Sequence, residues 1–388
     1  MELIGRRYHD LLPVRLTLEQ GKVRACEPLE GDSLAPLPLI APGLVDLQVN
    51  GFGGVHFNEP GVTAEGLREA AAGLATGGVT AFCPTLTTQS SERLEKSFAD
   101  LAAACEATGE AEGLVIGFHL EGPYISAEDG PRGAHPMEHC REPSWAEFSR
   151  WQEAAGGRIK IITLAPELPG AAEFIAQVSK TGVLVALGHT AADSAAVARA
   201  VEAGARMSTH LGNGAHGTIR RHPNYIWDQL ADDRLSASLI ADGHHLPLPV
   251  LQSFLRAKTP DRCLLVSDIT GLAGLPPGLY EGTALGDVEI LEDGRMVVAH
   301  QRQYLAGAAL PLAHGVATLA RQGEVSLATA LELASKHAAE MLGIAAGGFE
   351  PHAPADFLVL DEPPAVGPPR LPVRATIKAG RTIPGSPA

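Results

Sequence analysis

His119-Leu120-Glu121-Gly122-Pro123-Tyr124 closes an apolar run that begins at Gly113 and sets a carboxylate where the run stops. The Gly-Pro pair that follows ends the strand sharply. Three later segments repeat the pattern. Val183 to Leu187 leads into Gly188-His189-Thr190, and Met207-Ser208 into Thr209-His210-Leu211-Gly212-Asn213. Cys263 to Val266 leads into Ser267-Asp268. Parallel barrels carry their chemistry at the C-terminal ends of several different strands. One Glu, two His and one Asp delivered in this way suit a water-activating metal site.

Working outward, apolar β-type runs alternate with Ala-rich segments. Gly43 to Leu47, Val79 to Cys83, Leu114 to Leu120, Ile159 to Leu164, Val183 to Leu187, Met207 to Thr209 and Leu235 to Ala241 read as strands. Thr63 to Gly77, Ser90 to Thr108, Ala171 to Lys180 and Ser194 to Ala203 read as helices between them. This alternation favours an α/β fold with a TIM-like (β/α)8 barrel. An open doubly wound sheet is the alternative, but the phosphate-binding G-x-G-x-x-G after its first strand is missing. Beyond Asp268, Gly278 to Val298 holds a turn, Glu292-Asp293-Gly294, between alternating segments and reads as a β-hairpin insert. Helices are expected over Ala309 to Arg321 and Leu327 to Leu342. Alternating strands near both chain ends (Val14 to Leu18, Lys22 to Cys26, Asp356 to Leu360, Val373 to Ile377) imply a small β-sandwich domain built from both termini. The expected division is 1–41 and 348–388 for that domain, and 42–347 for the barrel with its insert near 278–298.

The 388 residues, 45% of them hydrophobic, suit a large globular core. A net charge of −15 argues against nucleic acid or an anionic membrane as partner. Five scattered cysteines without a C-x-x-C pair argue against a disulfide framework or a cysteine zinc site. No apolar run approaches the roughly 20 residues that span a bilayer, and the first residues show no signal-type apolar region. The expected location is cytoplasmic.

Each candidate has a plainer reading. A carboxylate at a strand end, such as Glu121, is often only solvated or paired with an Arg. A lone His is as often structural as ligating, and Asp268 suits a helix cap. Three ligand-type residues at three strand ends favour a metal, and one carboxylate with two imidazoles leaves a position open for water. Asp268 is then the proton carrier. Arg220-Arg221-His222 and His244-His245 look suited to an anion, and His135 lies on the loop after Glu121. His9, His139, His300 and His352 have no comparable context and read as incidental.

At these residues the chain resembles the N-acetylglucosamine-6-phosphate deacetylase family of the amidohydrolase superfamily. The resemblance runs nearly end to end. It rests on Pro42 to Gly51, Pro84 to Thr87, His119 to Tyr124, Leu164 to Glu167, Gly188 to Thr190, Thr209 to Asn213, Ile240 to His245 and Leu305 to Gly307. It implies a metal-bearing barrel, a homodimer, an amino-sugar phosphate as substrate and hydrolysis of its N-acetyl group. It implies Glu121, His189 and His210 as metal ligands and Asp268 as the catalytic acid/base. Gln48, His135, Asn213, Gly214, Arg221, His245, Leu305 and Gly307 are implied to hold the substrate. Where many amidohydrolases carry H-x-H, this chain has Gln48 and Asn50, poor ligands for a catalytic divalent ion. One metal ion per subunit is therefore expected, zinc first, with iron, cobalt and manganese open. The loop Gly214-Ala215-His216-Gly217 and His222 after Arg221 depart from the family pattern, as does Phe349 to Asp356. The competing readings are deacylation of another N-acyl amino sugar or N-acyl amino acid, and a non-catalytic sugar-phosphate-binding protein.

Overall fold

The computed structural model describes residues 1–29, 37–109, 113–283, 285–322, 325–362, 367 and 369–383. Eight parallel strands form the central sheet in chain order. They are β1 (Leu44–Val49), β2 (Val79–Thr87), β3 (Phe118–Glu121), β4 (Ile159–Leu164), β5 (Leu184–Leu187), β6 (Met207–Ser208), β7 (Ser236–Leu239) and β8 (Cys263–Leu265). Just beyond β8 the ring closes on β1. Asn50 N–H donates to Ile269 O at 2.8 Å and Asp268 N–H to Gln48 O at 3.0 Å. The barrel interior is packed with side chains rather than hollow. Val45, Leu47, Ala81, Ile161, Met207 and Leu264 form one buried cluster there, joined by Ala338 and Ala339.

The helices between strands start where the sequence supplies caps. Thr63 accepts from Gly66 N–H ahead of Ala64–Thr76, and Ser90 from Arg93 N–H ahead of Ser91–Ala107. Asp193 accepts from Ala196 N–H ahead of Ser194–Ala203. Each such cap contributes about 1 kcal/mol. Helices Trp145–Ala154, Tyr225–Ala231 and Leu248–Lys258 complete stretches that the sequence left unassigned. The single helix expected over Leu327 to Leu342 is two, Leu327–Leu333 and Lys336–Met341. The break lies at Ala334, whose carbonyl accepts from Val45 N–H of β1 at 2.8 Å. The strand expected from Leu114 starts in earnest only at Phe118. Gly117, just before it, lies so close to Lys160 that a Cβ there would stand 2.3 Å from Lys160 Cγ.

Both chain ends build one seven-stranded sheet. Leu39–Pro42 lies at its centre, parallel to Glu2–Arg7 and antiparallel to Phe357–Leu360. The sheet folds back on itself in the manner of a sandwich. Val23 N–H donates to Ala353 O and Ala355 N–H to Gly21 O, each at 2.9 Å. Leu16, Ile40 and Phe357 are buried within it. The hairpin expected over 278–298 is the first part of a longer element. Gly278–Thr283, Gly286–Ile290, Met296–Val298 and Gln301–Gly307 form a four-stranded antiparallel sheet. Its last strand carries Leu305 and Gly307 back over the barrel mouth. Among the described residues no helix is long and apolar enough to cross a membrane.

Candidate metal centre and active-site cleft

Glu121 is the last residue of β3, and His189 and His210 follow β5 and β6 by two residues each. Asp268 stands three residues past β8. All four therefore arrive at the C-terminal rim of the barrel. His189, His210 and Asp268 have φ of 52°, 29° and 53°, left-handed values that non-glycine residues adopt at a cost of about 1–2 kcal/mol each. Strain held at three strand ends on one rim marks a site that the surrounding fold over-determines.

Three ligand atoms converge there. Glu121 Oε1 lies 3.0 Å from His189 Nε2 and 2.9 Å from His210 Nε2, and the two Nε2 atoms are 3.1 Å apart. Ligands about 2.05 Å from a tetrahedral ion stand roughly 3.3 Å from one another, so the trio fits a divalent cation. The tautomer of His189 also fits. Its Nδ1–H donates to Pro131 O at 2.8 Å, which leaves the Nε2 lone pair for a metal. All three side chains are removed from water, at 2%, 6% and 3% exposure. Burial pushes the Glu121 carboxyl up, but the hydrogen bonds and charge of both imidazoles hold it well below the ordinary range. Burial works against charge on His210, yet Glu121 raises its pKa above the usual imidazole value. A metal ion would take the place of that shared proton.

Asp268 is held by the two amides that stand in place of H-x-H. Gln48 Nε2 and Asn50 Nδ2 donate to its Oδ1 at 3.0 and 2.9 Å, so Oδ2 is the oxygen available to a moving proton. Burial, followed by the negative charge of Glu121, raises the Asp268 carboxyl to about 6. Asp46 braces the same segment by accepting from Ser267 N–H at 3.1 Å.

A cleft of about 630 Å³ opens over these groups. His135, Asn213, Gly214, His245, Leu305 and Gly307 line it. His135 accepts or donates at Nδ1 to Thr88 Oγ1, 2.7 Å away, and its ring lies 4.3 Å from that of His189. His245 Nδ1 lies 2.7 Å from Asp242 Oδ2. A Cβ on Gly214, at φ 55°, would sit 2.7 Å from His189 Nδ1, so the loop can approach the imidazole only as glycine. Two expected residues do not join this lining. Gln48 is buried beneath the cleft and bonds to Asp268, and Arg221 is exposed on the loop beyond Asn213. His139, read as incidental, does line the cleft, from the short turn Met137–His139. Asn58 and Arg93 line it as well and left no signal in the sequence. Asn58 Oδ1 accepts from Thr87 N–H at 2.6 Å and so fixes the end of β2.

Residues 39–383 match the amidohydrolase family. Over 89% of this chain and 83% of its own length, the N-acetylglucosamine-6-phosphate deacetylase of Bos taurus is 35% identical. The chain belongs to the N-acetylglucosamine-6-phosphate deacetylase family of amidohydrolases. The crystal structure of the Mycobacterium smegmatis N-acetyl-D-glucosamine-6-phosphate deacetylase superposes with a TM-score of 0.87 at 28% identity, covering 99% of this chain and 100% of that one. A mutant of the same enzyme in complex with N-acetyl-D-glucosamine-6-phosphate superposes at 0.86, with 28% identity and 98% and 99% coverage.

Proposed function

We propose that this chain hydrolyses the N-acetyl group of N-acetylglucosamine 6-phosphate to glucosamine 6-phosphate and acetate. The observation that carries the reading is the convergence of Glu121, His189 and His210 on one point of the cleft that Asp268 also faces. These three residues would hold one divalent ion, zinc first. Such an ion supplies Lewis acidity and makes water a nucleophile near neutral pH. Asp268 Oδ2 takes a proton as the water oxygen bonds to the acetyl carbon. It returns that proton to the amide nitrogen as the C–N bond breaks, so that acetate and a primary amine depart. Gln48 and Asn50 keep Asp268 in line by holding its other oxygen. His135, Asn213, Gly214 and His245 orient the sugar, which converts binding energy into alignment of the amide.

Arg221 belongs to this reading through a second copy of the chain. We infer a homodimer in which Arg221 serves the phosphate in the neighbouring cleft; its exposure and its absence from the lining of its own cleft support this. The five cysteines are all free, which favours a reducing compartment such as the cytoplasm. The test is acetate release by the zinc-loaded protein from N-acetylglucosamine with and without its 6-phosphate. Strong preference for the phosphorylated sugar is expected. Equal turnover of both would place the substrate elsewhere among N-acyl amino sugars.

A further inference from the structure

His216 stands where the chain departs from the family pattern, and it is not part of the cleft lining. Its ring bridges two loops. Nε2 lies 3.1 Å from Glu128 Oε2, on the loop after β3, and Nδ1 lies 3.0 Å from Tyr225 Oη. The backbone N–H of His216 donates to that same hydroxyl at 2.9 Å. One ring nitrogen thus engages the buried Tyr225 hydroxyl and the other the Glu128 carboxylate, so both edges of the imidazole are tied down.

The two loops meet directly beside this bridge. A Cβ on Gly130 would lie 2.8 Å from His216 Cα and 2.9 Å from Ala215 O, so the backbones touch where only glycine fits. The first loop also governs His189. Ser126 N–H donates to His189 O at 3.0 Å, and Pro131 O accepts from His189 Nδ1 at 2.8 Å. Pro131 sits inside a turn that Glu128 O closes by accepting from Arg132 N–H at 2.9 Å. The second loop bears on the same ring through Gly214. Glu128 is therefore the handle of the turn that aims His189, and His216 holds the handle.

We propose that His216 is a positioning residue that locks the 126–133 and 213–217 loops together and so sets the orientation of His189 and the affinity of the centre for its metal. As an exposed pair, His216 and Glu128 contribute little to global stability, their side chains being 28% and 66% accessible. The effect lies in geometry at His189. Groups that orient a ligating imidazole typically change metal affinity by about 10- to 100-fold. This inference rests on the reading of Glu121, His189 and His210 as a metal centre.

The experiment measures zinc affinity by chelator competition, together with thermal unfolding, for wild type, His216→Ala, His216→Gln, His216→Asn and Tyr225→Phe. Wild type binds one zinc, and His216→Ala binds it about tenfold more weakly at an apoprotein melting temperature close to wild type. Gln at 216 can still reach Glu128 and keeps most of the affinity, whereas Asn, which keeps only the Tyr225 contact, falls with Ala. Tyr225→Phe, which frees the ring, lies between. A His216→Ala protein that binds zinc as wild type does overturns the proposal, as does one that loses melting temperature without losing affinity. A wild-type chain that binds no zinc overturns the metal reading, and this proposal with it.

Discussion

Gly214→Ala is the sharpest perturbation that the site offers. The new methyl would stand 2.7 Å from His189 Nδ1 and 2.9 Å from its Cε1, well inside van der Waals contact. Gly214 also has φ 55°, which costs alanine about 1 kcal/mol relative to glycine. Relief requires the imidazole to move by several tenths of an ångström. His189 is held by the 2.8 Å hydrogen bond to Pro131 O on one nitrogen and faces Glu121 and His210 at 3.0 and 3.1 Å on the other. Any such movement therefore spoils either the orienting bond or the ligand spacing. Loss of an orienting partner costs about 10- to 100-fold in metal affinity, or roughly 1.4–2.7 kcal/mol. The assay is zinc competition against a chelator, with Gly217→Ala as control, since no atom lies within 4 Å of a Cβ at Gly217. Gly214→Ala should bind zinc at least tenfold more weakly while Gly217→Ala is unchanged. Binding by Gly214→Ala within twofold of wild type would refute the claim that His189 is a tightly placed ligand.

Three further outcomes are expected. Asp268→Asn should lower kcat by about 10²- to 10⁴-fold while zinc stoichiometry stays at wild type; activity close to wild type would remove Asp268 from proton transfer. Arg221→Ala should raise KM for the phosphorylated sugar by about tenfold or more, the scale of one charge-assisted contact, and leave the unphosphorylated sugar unaffected. Equal effects on both sugars would end its phosphate role. Burial pushes the Asp242 carboxyl up, but the His245 hydrogen bond and charge hold it at about 2, below its ordinary 3.8. A depressed folded value stabilises above the unfolded pKa and is lost as pH falls through the folded one. Urea unfolding should therefore show wild type more stable than Asp242→Asn at pH 5, with the gap shrinking between pH 4 and pH 2; a gap that is constant with pH would contradict the pairing.

The strand-end residues were legible because barrel strands are buried on both faces and read as unbroken apolar runs. Wherever such a run stopped, at Glu121 or before His189, His210 and Asp268, the residue at the rim stood out. The helices expected from Thr63, Ser90 and Ser194 start within one residue of those positions, at Ala64, Ser91 and Ser194. What escaped depends on contacts between distant segments. The helix break at Ala334 exists because Val45, far away in sequence, takes its carbonyl. The parallel pairing of Glu2–Arg7 with Leu39–Pro42 has no local signature. His139 and Asn58 reach the cleft from loops, whose course no periodicity encodes. Gln48 was assigned to the substrate, yet its partner Asp268 lies 220 positions away, a relation invisible until the barrel closes. Arg221 followed a motif by position alone, and the loop carrying it leaves it exposed.

Acetate release by the zinc-loaded protein, followed on N-acetylglucosamine with and without its 6-phosphate, tests the central claim most directly. Deacetylation that requires both the metal and the phosphate is the predicted result. No acetate from either sugar, with one zinc bound per chain, would contradict the assigned substrate.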